Sequence, residues 1–194
     1  MTGASATGPA GRPRCYDRVA RRLHWLNAIC VVVTMLLGWG VVGAPRQGGL
    51  QALLITLHGS FGLVILALMA LWASWRLGRR PPPLSPVLRR IEALLARATH
   101  ASLLLLFVAM PLSGYVSLCA AGRPPSLFGV VTLPPLVAPS GRLSQAAIAV
   151  HLGGEFVVYA LLAMHIAAAL LHGVVRRDGV LEAMLPPPHA DRIG

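Results

Sequence analysis

The chain has 194 residues, of which 56% are hydrophobic and 12% charged; soluble domains average about 25% charged residues, so the composition excludes a water-soluble globule and indicates a one-domain polytopic membrane protein. The net charge of +11 does not point to nucleic acid, because all 17 basic residues are arginines grouped between apolar runs rather than interleaved with aromatics on one face. Cys15, Cys30 and Cys119 are far apart and form no CxxC, so neither a disulfide framework nor c-type haem attachment is indicated, and their expected role is as small apolar packers.

In chain order, residues 1–15 are small, polar and Pro/Gly-rich, the composition of a disordered tail. Four apolar runs follow that are long enough to cross a bilayer: Leu23–Val42, Leu50–Leu77, Ala101–Leu118 and Ala146–Leu171. The first ends in "VVGAP", but its apolar run exceeds a signal-peptide h-region and Pro45 follows Ala44 directly, so it reads as a retained span. Between spans two and three, "RRPPPLSPVLRRIEALLARA" breaks at its prolines and then sets Leu88, Ile91, Leu94 and Leu95 on one side, which predicts a short surface helix leading into span three. The connection Cys119–Gln145 has proline pairs and little periodicity, and residues 187–194 form a second tail. The domain therefore covers 16–186, with no internal repeat visible, and the expected fold is all-α: a transmembrane up-down four-helix bundle.

Fourteen of the 17 arginines lie before span one, between spans two and three, or after span four; Arg46, Arg123 and Arg142 lie on the other side. The positive-inside rule then places both termini in the cytoplasm.

With that orientation the histidines fall at two depths. His24 lies near the cytoplasmic end of span one and His165 near that end of span four, while His58 and His151 lie near the outer ends of spans two and four. His151 and His165 share a helix face about 21 Å apart, nearly the depth of a bilayer core. Two depth-matched pairs on different helices are what two bis-histidine haem sites require, and Gly62 and Gly153–Gly154 beside them offer room for a flat macrocycle. A single membrane histidine is more often an interhelical hydrogen-bond donor, and glycines also serve plain helix packing. Four histidines in two levels are harder to produce that way, since intramembrane ionisable groups are costly. A zinc or copper pathway would recruit Cys, Met or carboxylate at the same level, and Glu155 is the lone acid within a span. His100 and His172 sit near cytoplasmic helix ends, where they serve as interfacial residues or as a proton-supplying quinone site; His100 also competes with His24 as a ligand. His189 falls in the tail.

The motifs carry a resemblance. "YDRVARRLHWLNA", "LHGSFGLVILAL…WRLG", "THASLLLLFVAMPLSGY", "LFGVVTLPPL" and "HIAAALLHGVVRRDGVLEAMLP" occur in order over Tyr16 to Pro186, and the chain resembles the bacterial cytochrome b561 family, four-helix di-haem b membrane proteins related to the cytochrome b subunits of nickel-iron hydrogenases. The resemblance implies axial ligands at His24, His58, His151 and His165, two haem b, and residence in the bacterial inner membrane as a multi-pass protein. The chain departs from the family pattern at Leu152, where a glutamate is common and the acid is instead Glu155; at Trp72, which stands for an arginine; and at Gly173, which stands for the second histidine of a His-His pair. These departures bear on propionate and proton contacts rather than on the ligands.

The resemblance also implies electron transfer in which some members oxidise superoxide outside and reduce ubiquinone. Both outer connections carry Arg46, Arg123 and Arg142 with no acid to neutralise them, a cap that steers an anion. The expected function is thus a superoxide:quinone oxidoreductase, with lipid, quinone and superoxide or a redox protein as partners. The alternative is a haem b anchor subunit carrying electrons between a dehydrogenase, hydrogenase or c-type cytochrome and the quinone pool; a histidine-lined ion carrier is the non-redox alternative.

Overall fold

The computed structural model describes residues 16–45, 49–77, 79 and 89–185. The expected tails, Arg46, Leu88, Cys15 and His189 lie outside those residues. Within them the chain is mostly helical: α1 Arg18–Gly43, α2 Gly49–Arg76, α3 Arg90–Ala120 and α4 Gly141–Leu170, all four long and apolar enough to cross a membrane.

Each helix start has a local cause. Asp17 caps α1, its carboxylate accepting the Ala20 N–H at 2.8 Å, so the helix begins at Arg18 rather than at the apolar run. Glu92 accepts the Arg89 N–H at 3.1 Å and the Ser140 hydroxyl accepts the Leu143 N–H at 3.4 Å, which start α3 and α4. The segment carrying Ile91, Leu94 and Leu95 leads into span three without a break, as the first turns of α3. α1 ends at Ala44, whose extended backbone (ψ 147°) is the conformation Pro45 imposes on the residue before it.

The connection between α3 and α4 contains an element that periodicity did not reveal, a two-residue antiparallel hairpin of β1 Ser126–Leu127 and β2 Val131–Thr132. Its turn needs left-handed backbone at Phe128 and Gly129 (φ 50° and 74°). Ser60 of α2, fully buried, anchors it: the Ser60 hydroxyl accepts the Phe128 N–H at 2.7 Å and lies 3.2 Å from the Ser126 carbonyl.

α1 packs along α2, α3 along α4, and α2 on α3. The core between the first two helices is Leu23, Cys30 and Val31 against Ile65, Leu68 and Met69, flanked by Phe107, Val108 and Leu162. Cys30 and Cys119 are free and buried, in keeping with packing roles. Large apolar side chains such as Leu105, Phe156 and Val175 point outward, as they do where lipid replaces water.

Polar contacts tie the helix ends together. The Trp75 indole donates to the Asp17 carboxylate at 3.3 Å, and Arg176 pairs with Glu92 at 2.9 Å. At the other ends, Gln51 donates to the Val41 carbonyl at 3.4 Å, and Ser117 and Ser144 exchange hydroxyl-to-carbonyl bonds at 3.3 and 3.1 Å. After α4 the chain runs through a π-helical turn, Leu171–Arg176, and a 3₁₀ turn, Glu182–Met184. This exit segment is fastened to α1 by Tyr16 N–H to Ala183 O (3.2 Å), Arg21 to Leu185 O (2.6 Å) and Trp25 to Met184 O (2.9 Å).

Candidate cofactor site

The histidines gather at two levels. His58 of α2 faces His151 of α4 with ring centroids 5.9 Å apart. At the other level His165 of α4 has His24 of α1 at 6.3 Å and His100 of α3 at 5.3 Å. An iron between two imidazoles, at metal–nitrogen distances of about 2 Å with about 1.2 Å from nitrogen to ring centre, separates the centroids by about 6.4 Å. The spacings of His24–His165 and His58–His151 come within about 0.1 and 0.5 Å of that requirement, and His100–His165 falls about 1 Å short of it. Among the described residues no three His, Cys, Asp or Glu side chains converge on one point suited to a metal ion.

Orientation distinguishes the first pair further. His58 Nδ1 lies 2.9 Å from the Thr34 carbonyl of α1, and His151 Nδ1 lies 2.9 Å from the Met110 carbonyl of α3 and 3.1 Å from Ser113 Oγ. A carbonyl only accepts, so each Nδ1 carries the proton and each Nε2 presents its lone pair. That is the state a metal ligand needs, with the ring held by a backbone acceptor behind it.

The two rings are seated in the same way. In a helix the amide of residue i+4 bonds the carbonyl of residue i, which makes Gly38 the partner of Thr34 and Gly114 the partner of Met110. A Cβ on Gly38 would lie 3.1 Å from His58 Cε1, and one on Gly114 would lie 3.2 Å from His151 Cε1. A carbonyl and a glycine four residues later thus form one seat on α1 and an equivalent seat on α3. Of the glycines singled out from sequence, Gly62 faces Pro111, Gly154 faces the Met110 sulfur, and a Cβ on Gly153 would meet no atom within 4 Å. Small residues level with a histidine on the adjacent helix were the signal that could have found Gly38 and Gly114.

Glu155, one turn after His151, accepts a hydrogen bond from the Tyr159 hydroxyl, which in turn accepts the Trp39 indole N–H at 2.7 Å. Arg123 and Arg142 are exposed at the α3–α4 connection, near Ser117 and Ser144, and neither forms an ion pair among the described residues. His172 is buried in the π-turn, its Nδ1 2.6 Å from Asp178 Oδ2, a partner sequence reasoning missed.

Residues 15–187 match the family described as prokaryotic cytochrome b561. The chain belongs to the prokaryotic cytochrome b561 family. It is 32% identical over 179 residues to cytochrome b561 homolog 2 of Escherichia coli strain K12, a match covering 92% of this chain and 95% of that protein. It is 30% identical over 168 residues to the probable superoxide oxidase CybB of Yersinia pestis (84% of this chain, 92% of that protein). To cytochrome b561 homolog 1 of the same E. coli strain it is 26% identical over 168 residues (84% and 93%). As a member of the cytochrome b561 family the chain is a bacterial membrane electron-transfer protein of the haem b type, and the donor set suits that group. Paired imidazoles on separate helices, with proton-free Nε2 atoms and glycine-made clearance at His58 and His151, suit a haem iron.

Proposed function

We propose that the protein is a di-haem b transmembrane electron carrier of the inner membrane that oxidises superoxide at the periplasmic face and reduces ubiquinone at the cytoplasmic face. The bundle runs up and down with both termini cytoplasmic, following the arginine distribution. His58 and His151 hold the outer haem iron; His24 and His165 hold the inner one. The observation that carries the reading is the pair of imidazole couples at two levels, spaced 5.9 and 6.3 Å between ring centres.

When bound, the haems supply one-electron transfer between the two membrane faces. The chain's own residues do the rest. Thr34, Met110 and Ser113 fix the outer ligand rings, so no reorientation accompanies a change of charge at the site. Arg123 and Arg142, exposed and unpaired among the described residues, raise the local concentration of a small anion at the outer face; Arg46, in the other outer connection, adds to the same charge. The name of the Yersinia relative supports superoxide as that anion. At the inner end, His172 and His100 are the groups able to exchange protons with a quinone, and His100 lies beside His165.

The test is direct. Purified, haem-loaded protein is mixed with a superoxide source and a soluble ubiquinone, and quinol is measured. Formation well above the protein-free rate is expected; an equal rate refutes the superoxide:quinone reading.

A further inference from the structure

We propose that Asp178 is the positioning residue for His172 in delivering protons to the quinone, an inference that rests on the quinone reading above. A regular helix would not bring these residues together, because six positions place them on different faces. The π-turn Leu171–Arg176 widens the helix at this point, and Arg177 then takes the left-handed conformation (φ 49°, ψ 46°). The chain reverses, and the backbone N–H groups of Arg177 and Asp178 both bond the His172 carbonyl. Asp178 is thereby folded back onto the ring of His172, with Oδ2 2.6 Å from Nδ1 and the side chains only 10% and 6% exposed. The other carboxylate oxygen accepts the Val180 N–H at 3.3 Å.

Three further contacts hold this hook. Leu181 packs onto Gly173, where no side chain would fit. Arg176 is tied to Glu92 of α3, and the segment after Leu181 is fastened to α1 through Arg21, Trp25 and Tyr16. π-turns inside α-helices are frequent at functional sites, and a carboxylate on Nδ1 is the arrangement that fixes which imidazole nitrogen exchanges protons. His172 Nε2 makes no hydrogen bond among the described residues and is the atom left to serve a ligand. Burial pushes the Asp178 carboxyl up, but the hydrogen bonds from His172 and Val180 and the charges of His172 and Arg176 outweigh it and hold it below the ordinary aspartate value, so it stays an acceptor at neutral pH. Other charged or titratable groups of this end include Arg177 and Glu182 in the exit segment, Glu92 and His100 on α3, His165 on α4, and Arg18, Arg21, Arg22 and His24 on α1.

The step balances as follows. One quinone takes two electrons and two protons to become quinol. The electrons arrive singly from two superoxide anions, each leaving as dioxygen. His172 gives one proton from Nε2, is reprotonated by cytoplasmic water, and gives the second, while Asp178 keeps Nδ1–H engaged throughout.

The test uses full-length, haem-loaded wild type, Asp178→Asn, Asp178→Glu and His172→Gln, with soluble ubiquinone as acceptor and haem content read from the spectrum. Asp178→Asn is expected to lower kcat about tenfold with KM within about twofold, and Asp178→Glu to fall between it and wild type. If His172→Gln is impaired while Asp178→Asn matches wild type, the positioning role is overturned and the quinone reading stands. If both variants match wild type, the quinone site is not here and both fall. Should Asp178→Asn fail to load haem, Asp178→Glu decides: a lowered kcat with unchanged KM supports the proposal, and a wild-type kcat overturns it.

Discussion

The Nδ1 of His58 lies 2.9 Å from the Thr34 carbonyl, and the residue that lets the ring approach that carbonyl is Gly38, one turn further along α1. A methyl group there would meet His58 Cε1 at 3.1 Å, and the ring cannot yield without losing its hydrogen bond. Gly38→Ala and, by the equivalent geometry, Gly114→Ala are therefore expected to weaken or shift the outer haem signal in an absorption spectrum. Gly62→Ala is the control. Its Cβ would sit 3.8 Å from Pro111, an ordinary contact, and relief of glycine's helix penalty adds about 0.5–1 kcal/mol, so its spectrum is expected to be unchanged and its thermal stability no lower.

Ser60 anchors the outer hairpin to α2 two residues from His58. Ser60→Ala leaves the Phe128 N–H without its acceptor, a loss of about 1–3 kcal/mol for a buried group. The expected result is a lower unfolding temperature together with faster loss of the outer haem on dilution. An unchanged unfolding temperature would remove the hairpin from the account.

Asp17 supplies the pH dependence. Burial raises its carboxyl, but the Ala20 and Val19 amides, the Trp75 indole and the charge of Arg79 more than compensate, holding it below the ordinary value of 3.8. A carboxyl depressed in the folded state contributes stability above its unfolded value, and that contribution is lost as pH falls through the folded value. Replacing it by Ala removes the α1 cap at a cost of about 0.5–2 kcal/mol near neutral pH. The difference from wild type is expected to shrink below about pH 4 in thermal unfolding; a constant difference would contradict the linkage.

Glu155 lies within α4, a turn from His151, and is held by Tyr159. Neutralising it as Glu155→Gln removes negative charge beside the outer pair and favours the reduced state there. A rise in that midpoint potential on the order of 50 mV is expected in a redox titration, with the inner haem little changed. A fall would mean that the carboxylate is not the field that acts on the site.

Charge reversal tests the outer cap. Arg123→Glu and Arg142→Glu are each expected to slow superoxide oxidation, by about threefold at low salt, with the difference narrowing as ionic strength rises. Equal rates at low salt would show that the arginines serve headgroups instead.

Much of this was legible in the residues themselves. Apolar length marked the four helices, and the position of each histidine along alternating spans set His58 level with His151 and His24 level with His165, the neighbours the fold brings together. What was not legible depends on backbone. The acceptors behind His58 and His151 are carbonyls of Thr34 and Met110, which carry no residue signature. Asp178 reaches His172 only through a π-turn and a left-handed Arg177, which a regular helical wheel places apart.

The most direct test of the central claim is a reduced-minus-oxidised spectrum with haem stoichiometry on wild type and on single Ala variants at His24, His58, His151, His165 and His100. The account predicts two haem b per chain, a loss of about one for each of the first four variants, and none for His100→Ala. One haem or none in the wild type would contradict it, as would a His24 variant that keeps both haems while the His100 variant loses one.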